Sequence, residues 1–371
     1  MAGTLRASID VLKAFTLLGL TSFGGPTAHL GYFRQEFVAK RRWLSDASYA
    51  DIVALCQFLP GPASSQVGMA IGWRRAGGLG MLAAFVGFTA PSAVMMAVAT
   101  SLPFLDDATK GLMAAAVAVV VIALISMAKT LASTVPSALI ALATAATLIA
   151  APHAWMQLCC IAAGALISLM LPDAPSTPTS PPPAGRVGWA PVAAIALVTL
   201  LIASSFFWWG PYLRAGALVF GGGHVVLPML EADLVPTQLD APTFLAGYGL
   251  AQAMPGPLFT LASYLGAATG GAWGALVATL AIFAPSFLLL AAIMPVWTRL
   301  AALAWIRRAL RGINAAVVGL LGAVLWDPVI SHGITDLTSA LIAAAAGIFL
   351  WRGAPAWAVV LAAGCVGMVV S

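Results

Sequence analysis

Leu59-Pro60-Gly61-Pro62-Ala63-Ser64-Ser65-Gln66 puts three hydrogen-bonding side chains directly behind a double backbone break. Proline removes a backbone donor and collides with the preceding turn, so Pro60 and Pro62 end one helix and make a second begin. Ser64, Ser65 and Gln66 then fall in the first turn of the second helix. A helix N-terminus carries unpaired N–H groups and partial positive charge, which attract anions. Met254-Pro255-Gly256-Pro257 repeats the device, with Thr260 behind it. Gln57 and Gln252 precede the two breaks symmetrically, with amides able to cap open backbone or touch a ligand. The chemistry open to such sites is recognition of an anion that offers only acceptors. Hydroxyls and backbone donors bind it without burying a full opposing charge.

Other residues join these candidates. Gly24 and Gly25, and later Gly221, Gly222 and Gly223, allow backbone to approach an ion or a neighbouring helix closely. His29 and His224 each follow such a run and titrate near neutrality, so they suit proton coupling or a hydrogen bond inside a helix interface. Lys13 lies in an apolar stretch, where an ammonium marks a functional position or snorkels to the surface. Arg34, Arg41 and Arg42, with Arg74 and Arg75, could concentrate anions at an entrance or simply fix topology. Glu231 borders the second glycine run and is a further proton-carrier candidate. The four histidines show no metal-ligand spacing, and Cys56, Cys159, Cys160 and Cys365 form no Cys-x-x-Cys pair. We expect packed thiols, no metal, no cofactor and no enzyme activity, because no nucleotide fingerprint or redox pair is present.

The elements that hold these residues are membrane helices. The 371 residues are 61% hydrophobic and 8% charged, against about 25% charged in a soluble domain. The net charge of +5 sits in short loops, where it reports orientation rather than nucleic-acid binding. Arg6 and Asp10 near the start speak against a cleavable leader.

The chain is duplicated. Phe23-Gly24-Gly25 recurs as Phe220-Gly221-Gly222, Gln57-x-x-Pro60-Gly61-Pro62 as Gln252-x-x-Pro255-Gly256-Pro257, and Ala90-Pro91-Ser92 as Ala284-Pro285-Ser286. Three motifs in one order define two repeats, 1–171 and 207–371, joined by a Pro-rich cytoplasmic linker at 172–186 and a single helix at 187–206. Complete spans of about 20 residues are expected near 77–102, 111–128, 130–151, 153–171, 187–206, 271–295, 308–326, 337–351 and 355–371. Segments 11–33, 49–73, 211–230 and 243–268 are the interrupted ones.

Arg34, Lys40, Arg41 and Arg42 precede the first Pro-Gly-Pro segment, and Arg74 and Arg75 end it. Both ends then face the cytoplasm, which suits a re-entrant hairpin with arms of about 10–12 residues. The second half swaps the signs: Glu231, Asp233 and Asp240 replace the basic loop, and Arg299, Arg307, Arg308 and Arg311 end the next span. Lys110 and Arg214 fall on the outer side, against the trend. The expected fold is an all-α integral membrane protein, a polytopic helical bundle with two inverted-topology repeats and re-entrant or broken helices.

The blocks SFGGPTAHLGYFRQEF, RRW and QFLPGPASSQVGMAIGW in the first half resemble the chromate ion transporter family. FGGGHVVLPMLE, FLAGYGLAQAMPGPLF and SYLGA in the second half do too, in the duplicated long-chain form. The resemblance covers nearly the whole chain. It implies chromate efflux across the bacterial plasma membrane, driven by the proton motive force and conferring chromate resistance, with sulfate as an analogue. Some members carry acidic and glutamine-rich residues just after the first break, where this chain has Ala63-Ser64-Ser65-Gln66. The alternatives are a transporter or exchanger of sulfate or another oxyanion, and an anion channel. The expected partners are the oxyanion, protons and the lipid bilayer, with no nucleic acid; homo-oligomerisation is left open.

Overall fold

The computed structural model describes residues 2–23, 25–102, 104–151, 154–171, 190–219, 226–235, 237–294 and 303–370. The expected linker, Gly24, Gly221, Gly222, Gly223 and His224 lie outside the described residues. Helices follow one another as α1 (Ala2–Thr21), α2 (Gly25–Phe33), a π-helical turn (Arg34–Lys40), α3 (Asp46–Phe58), α4 (Ala63–Ala99), α5 (Phe104–Leu131), α6 (Val135–Ala150) and α7 (Ala154–Met170). Then come α8 (Ala190–Ser204), α9 (Gly210–Leu218), α10 (Val226–Leu234), α11 (Ala241–Ala253), a single 3-10 turn (Leu258–Thr260) and α12 (Leu261–Ile293). The series ends with α13 (Ala304–Val324), α14 (Leu337–Trp351) and α15 (Ala356–Val370). No strand occurs among the described residues. The protein is an all-α, multi-pass membrane protein, with apolar side chains such as Leu142, Ile195 and Leu341 on its outer faces.

All four segments expected to be interrupted are broken helices. The α3 and α11 helices each begin at a capping side chain, Ser45 accepting from the Ser48 N–H and Asp240 from the Thr243 N–H. Each ends at an extended residue before its Pro-Gly-Pro, Leu59 (φ −80, ψ 145) and Met254 (φ −83, ψ 144).

The chain reverses after each Pro-Gly-Pro segment, where the expected spans at 77–102 and 271–295 begin. In α4 the backbone leaves helical values at Ala76 (φ −146, ψ 22) and Gly77 (φ 64, ψ −150). In α12 it does the same at Gly270 (φ −143, ψ 20) and Gly271 (φ 59, ψ −152). Positive φ is readily adopted only by glycine. Eight residues of straight helix would hold Gly72 and Gly80 about 12 Å apart. A Cβ on either would instead collide with the other's carbonyl, so the chain has folded back on itself. Gly266 and Gly274 repeat this contact. The stretch 63–75 is therefore an arm of about 20 Å, short of the about 30 Å of a hydrocarbon core. The α3 arm of the first Pro-Gly-Pro segment has 13 residues against an expectation of about 10–12, as has α11 in the second, while α1 in the first Phe-Gly-Gly segment runs for 20.

Small residues bring these arms together. Gly19 of α1 lies on the carbonyls of Gly87 and Phe88, and Gly216 of α9 lies on that of Ile282. Outside them, α13 packs on α6 through Gly319 and on α7 through Gly312, and α15 packs on α5 at Gly111. Close backbone approach through small residues replaces the hydrophobic drive that lipid removes.

The termini of the helices sort into two ends. At one, Lys110 pairs with Asp336 (2.6 Å) and Arg214 with Asp233 (2.8 Å), so both cations that ran against the charge trend are partnered by acids. The Asp336 carboxyl is held at about 2, below its ordinary 3.8, first by the hydrogen bond from Lys110. At the other end, Arg41 and Arg75 lie over the ring of Trp43, 5.4 and 5.0 Å from its centre. Burial works to raise the Glu36 carboxyl there, but the Arg41 and Lys40 contacts outweigh it and hold it below its ordinary range. Of the cysteines, Cys56 and Cys160 are packed as expected, whereas Cys159 and Cys365 are exposed.

Candidate functional site

The two breaks meet in the protein interior and are tied by a reciprocal pair of backbone hydrogen bonds. Gly61 of the first break donates its N–H to the Val219 carbonyl (2.6 Å), and Gly256 of the second donates to the Ser22 carbonyl (2.9 Å). Both glycines have positive φ, 113 and 86. Each lies against the serine of the other half's Ala-Pro-Ser motif: a Cβ on Gly61 would come within 2.8 Å of Ser286 Oγ, and one on Gly256 within 2.9 Å of Ser92 Oγ. Each half therefore completes the other's break.

Around the first break the lining is polar. Every residue from Ser64 to Gly72 is buried. Pro62 supplies no capping side chain, and the Gln66 N–H is the first to find a helical carbonyl, that of Pro62 at 2.9 Å. The N–H groups of residues 63–65 have no partner among the described residues. His29, fully buried on α2, places Nε2 3.2 Å from the Ser22 carbonyl and Nδ1 3.3 Å from Ser64 Oγ. A carbonyl only accepts, so Nε2 carries the proton, and Nδ1 of the neutral ring accepts from the Ser64 hydroxyl. The ring rests edge-on to Phe88 at 5.2 Å, within a cluster formed with Phe15, Phe33 and Phe37. Gln66 Nε2 donates to the Pro60 carbonyl (2.7 Å) and reaches Ser286 Oγ (3.3 Å). Ser22 Oγ, Ser65 Oγ, Gln66 Oε1 and Thr89 Oγ1 are buried without a hydrogen-bond partner among the described residues. An unmet buried polar group costs about 1–3 kcal/mol, so each of these groups favours a further partner.

The second break is partly closed on itself, the N–H groups of Leu258 and Phe259 alone having no partner in its first turn among the described residues. The Thr260 N–H donates to the Pro257 carbonyl (3.0 Å) and its hydroxyl to the same oxygen (2.8 Å). Leu258, Phe259 and Leu261 complete an apolar turn, with the Phe259 ring 6.0 Å from that of Phe283. Gln252 leaves its buried Nε2 unpartnered.

The remaining candidates are scattered. Lys13 and Gln57 are exposed on α1 and α3. Gly25 has positive φ (76) in open space. Arg34 pairs with Asp46 at 2.7 Å, Arg41 with Glu36 at 2.6 Å, and exposed Arg42 adopts φ 53. Glu231 lines a separate cavity of about 670 Å³ with Gln157, Asp327 and Ser331. Ser22 and Thr89 were missed from sequence, although each directly precedes a repeated motif, Phe-Gly-Gly and Ala-Pro-Ser.

The sequence pattern of the chromate transporter family matches this chain twice, over residues 9–169 and 204–368. The chain belongs to the chromate transporter family. The two matched segments each hold one Phe-Gly-Gly, one Pro-Gly-Pro and one Ala-Pro-Ser motif, so each half of this chromate transporter family member repeats the family unit. A chromate transport protein of Pseudomonas aeruginosa is 29% identical over 97% of this chain and 92% of its own length. One of Cupriavidus metallidurans is 27% identical over 92% and 86%. An uncharacterised transporter of Methanocaldococcus jannaschii is 26% identical over 86% and 83%. No solved structure matches the fold.

Proposed function

We propose that this protein is a secondary transporter that carries chromate out of the cytoplasm, with the anion bound at the interior where the broken helices meet. The observation that carries the reading is the buried, uncapped start of α4 with unpaired hydroxyls beside it. That arrangement suits a tetrahedral dianion, which brings acceptors only. The substrate itself comes by likeness to the relatives named as chromate transport proteins. Sulfate shares the shape and charge and is the expected competitor.

The basic end, with Arg34, Arg41, Arg42, Arg74 and Arg75, faces the cytoplasm in this reading and concentrates anions at the entrance. The repeats 1–171 and 207–371, inverted relative to one another, rock about the central breaks. A dianion leaving a negative interior gains about 4.6 kcal/mol per 100 mV. Inward proton movement adds to this, with Glu231 as a carrier: its carboxylate lines a cavity and has no hydrogen-bond or ion-pair partner among the described residues.

Labelled-chromate accumulation in inside-out membrane vesicles tests the reading, with and without a proton gradient and with excess sulfate. Gradient-dependent uptake that sulfate inhibits is expected. Equilibration without accumulation would make the protein a channel, and no uptake by well-inserted protein would remove chromate as substrate.

A further inference from the structure

The frame is twofold but its chemistry is not. In the register set by the Pro-Gly-Pro motifs, Ser64 corresponds to Phe259, Ser65 to Thr260 and Gln66 to Leu261. In the register set by Phe-Gly-Gly, Ser22 corresponds to Val219 and His29 to Val226. Of these five residues of the first break, only Ser65 is answered by a polar one. The exception, Thr260, spends its hydroxyl on the Pro257 carbonyl.

The backbone diverges in the same way. The second helix restarts through a 3-10 turn, in which the N–H groups of Thr260 and Leu261 are taken by nearby carbonyls. The first restarts directly as α-helix, with the N–H groups of residues 63–65 open. Ser65 Oγ stands unpaired in that same turn, on a residue only 3% exposed. Ser22, a residue with no exposure, meets the His29 ring through its carbonyl on the side opposite Ser64, and its Oγ has no partner among the described residues.

We infer that the transporter binds a single tetrahedral oxyanion, at the first break alone, and that the second break serves only as its structural counterpart. The inference rests on the oxyanion reading above. The N–H groups of residues 63–65 and the hydroxyls of Ser65 and Ser22 donate to the anion. Ser64 is a positioning residue, because its hydroxyl proton is committed to His29 Nδ1. At the second break Phe259 takes the place of Ser64 and Val226 that of His29, so the pair that positions the first site has no counterpart.

Isothermal titration of the purified full-length protein with chromate, and separately with sulfate, tests this at constant ionic strength. The wild type is expected to bind one equivalent. Ser65→Ala should weaken binding about tenfold, the loss of one hydrogen bond to a charged group. Ser65→Thr, which keeps the hydroxyl, should restore most of the affinity and so separates lost donation from damage to the fold. Thr260→Val should change affinity less than twofold. Two equivalents, equal losses in Ser65→Ala and Thr260→Val, or an unaltered Ser65→Ala would each overturn the single-site inference while leaving oxyanion binding intact. A wild type that binds neither anion would overturn the oxyanion reading, and this inference with it.

Discussion

The first and second breaks share a backbone and differ in what they line it with. Gly61 and Gly256 both have positive φ and the same bond to the opposite half, and the hairpins at Gly77 and Gly271 agree within a few degrees. Yet one break gathers His29, Ser64, Ser65 and Gln66, and the other gathers Phe259, Leu258 and Leu261. The comparison teaches which features hold the architecture and which do chemistry. Whatever both halves need is kept by glycine and proline; whatever only one half needs is free to diverge in its side chains.

The largest expected effect tests the shared part. Gly61→Ala and Gly256→Ala should be equally damaging, because each puts a Cβ at positive φ and against the other half's serine. Strain of this kind costs about 1–3 kcal/mol, and thermal unfolding of both variants in detergent should fall together. If only Gly61→Ala were destabilised, the frame would not be symmetric.

The next effect tests the divergent part. Transport by the double variant Ser64→Ala/Ser65→Ala should fall about tenfold or more, through loss of the Ser65 donor to a charged ligand and of the Ser64 contact that holds His29, while Thr260→Val transports nearly as wild type. Vesicle uptake at matched protein levels reads this directly, and comparable losses in both would erase the distinction between the breaks.

A smaller effect belongs to the basic end. Arg74→Gln/Arg75→Gln should lower uptake a few-fold at low ionic strength, and the difference should vanish near 0.5 M salt, where screening is nearly complete. A loss that persisted in high salt would mean that these arginines hold structure instead.

The smallest effect concerns the opposite end. The folded Asp336 carboxyl sits at about 2, below its ordinary 3.8. A depressed carboxyl contributes stability above its unfolded value and loses it as pH falls through its folded value. The small gap in melting temperature between wild type and Asp336→Asn should be constant above pH 4 and close between pH 4 and pH 2. A gap unchanged across that window would show that the Lys110 contact adds nothing.

Much of the architecture was legible from sequence because proline and glycine act locally. The four broken helices, the repeated motifs and helix α14 at 337–351 follow from rules that need no tertiary partner. The reversals between segments 49–73 and 77–102, and between 243–268 and 271–295, were legible as segment boundaries, but the residues that make them, Ala76–Gly77 and Gly270–Gly271, were not. Arg74 and Arg75 pointed to the first reversal, but a Gly-Gly pair inside an apolar run reads equally well as close helix packing, and the Gly72–Gly80 contact is what closes the turn. Within the site, Ser64, Ser65 and Gln66 were legible from their place after the break, whereas Ser22 and Thr89 needed burial and a missing partner to be noticed. Pairing His29 with His224 followed composition; register instead sets Val226 opposite His29. Gln57 and Gln252 match in sequence, but one is exposed and the other holds a buried amide, because the two halves pack against different neighbours.

The most direct test is crystallographic: the protein crystallised with selenate, a tetrahedral dianion, and mapped by anomalous scattering at the selenium edge. The account predicts one peak, within hydrogen-bond reach of the N–H groups of residues 63–65 and of Ser65 Oγ. Peaks of equal height at the starts of α4 and α12, or one at α12 alone, would contradict it.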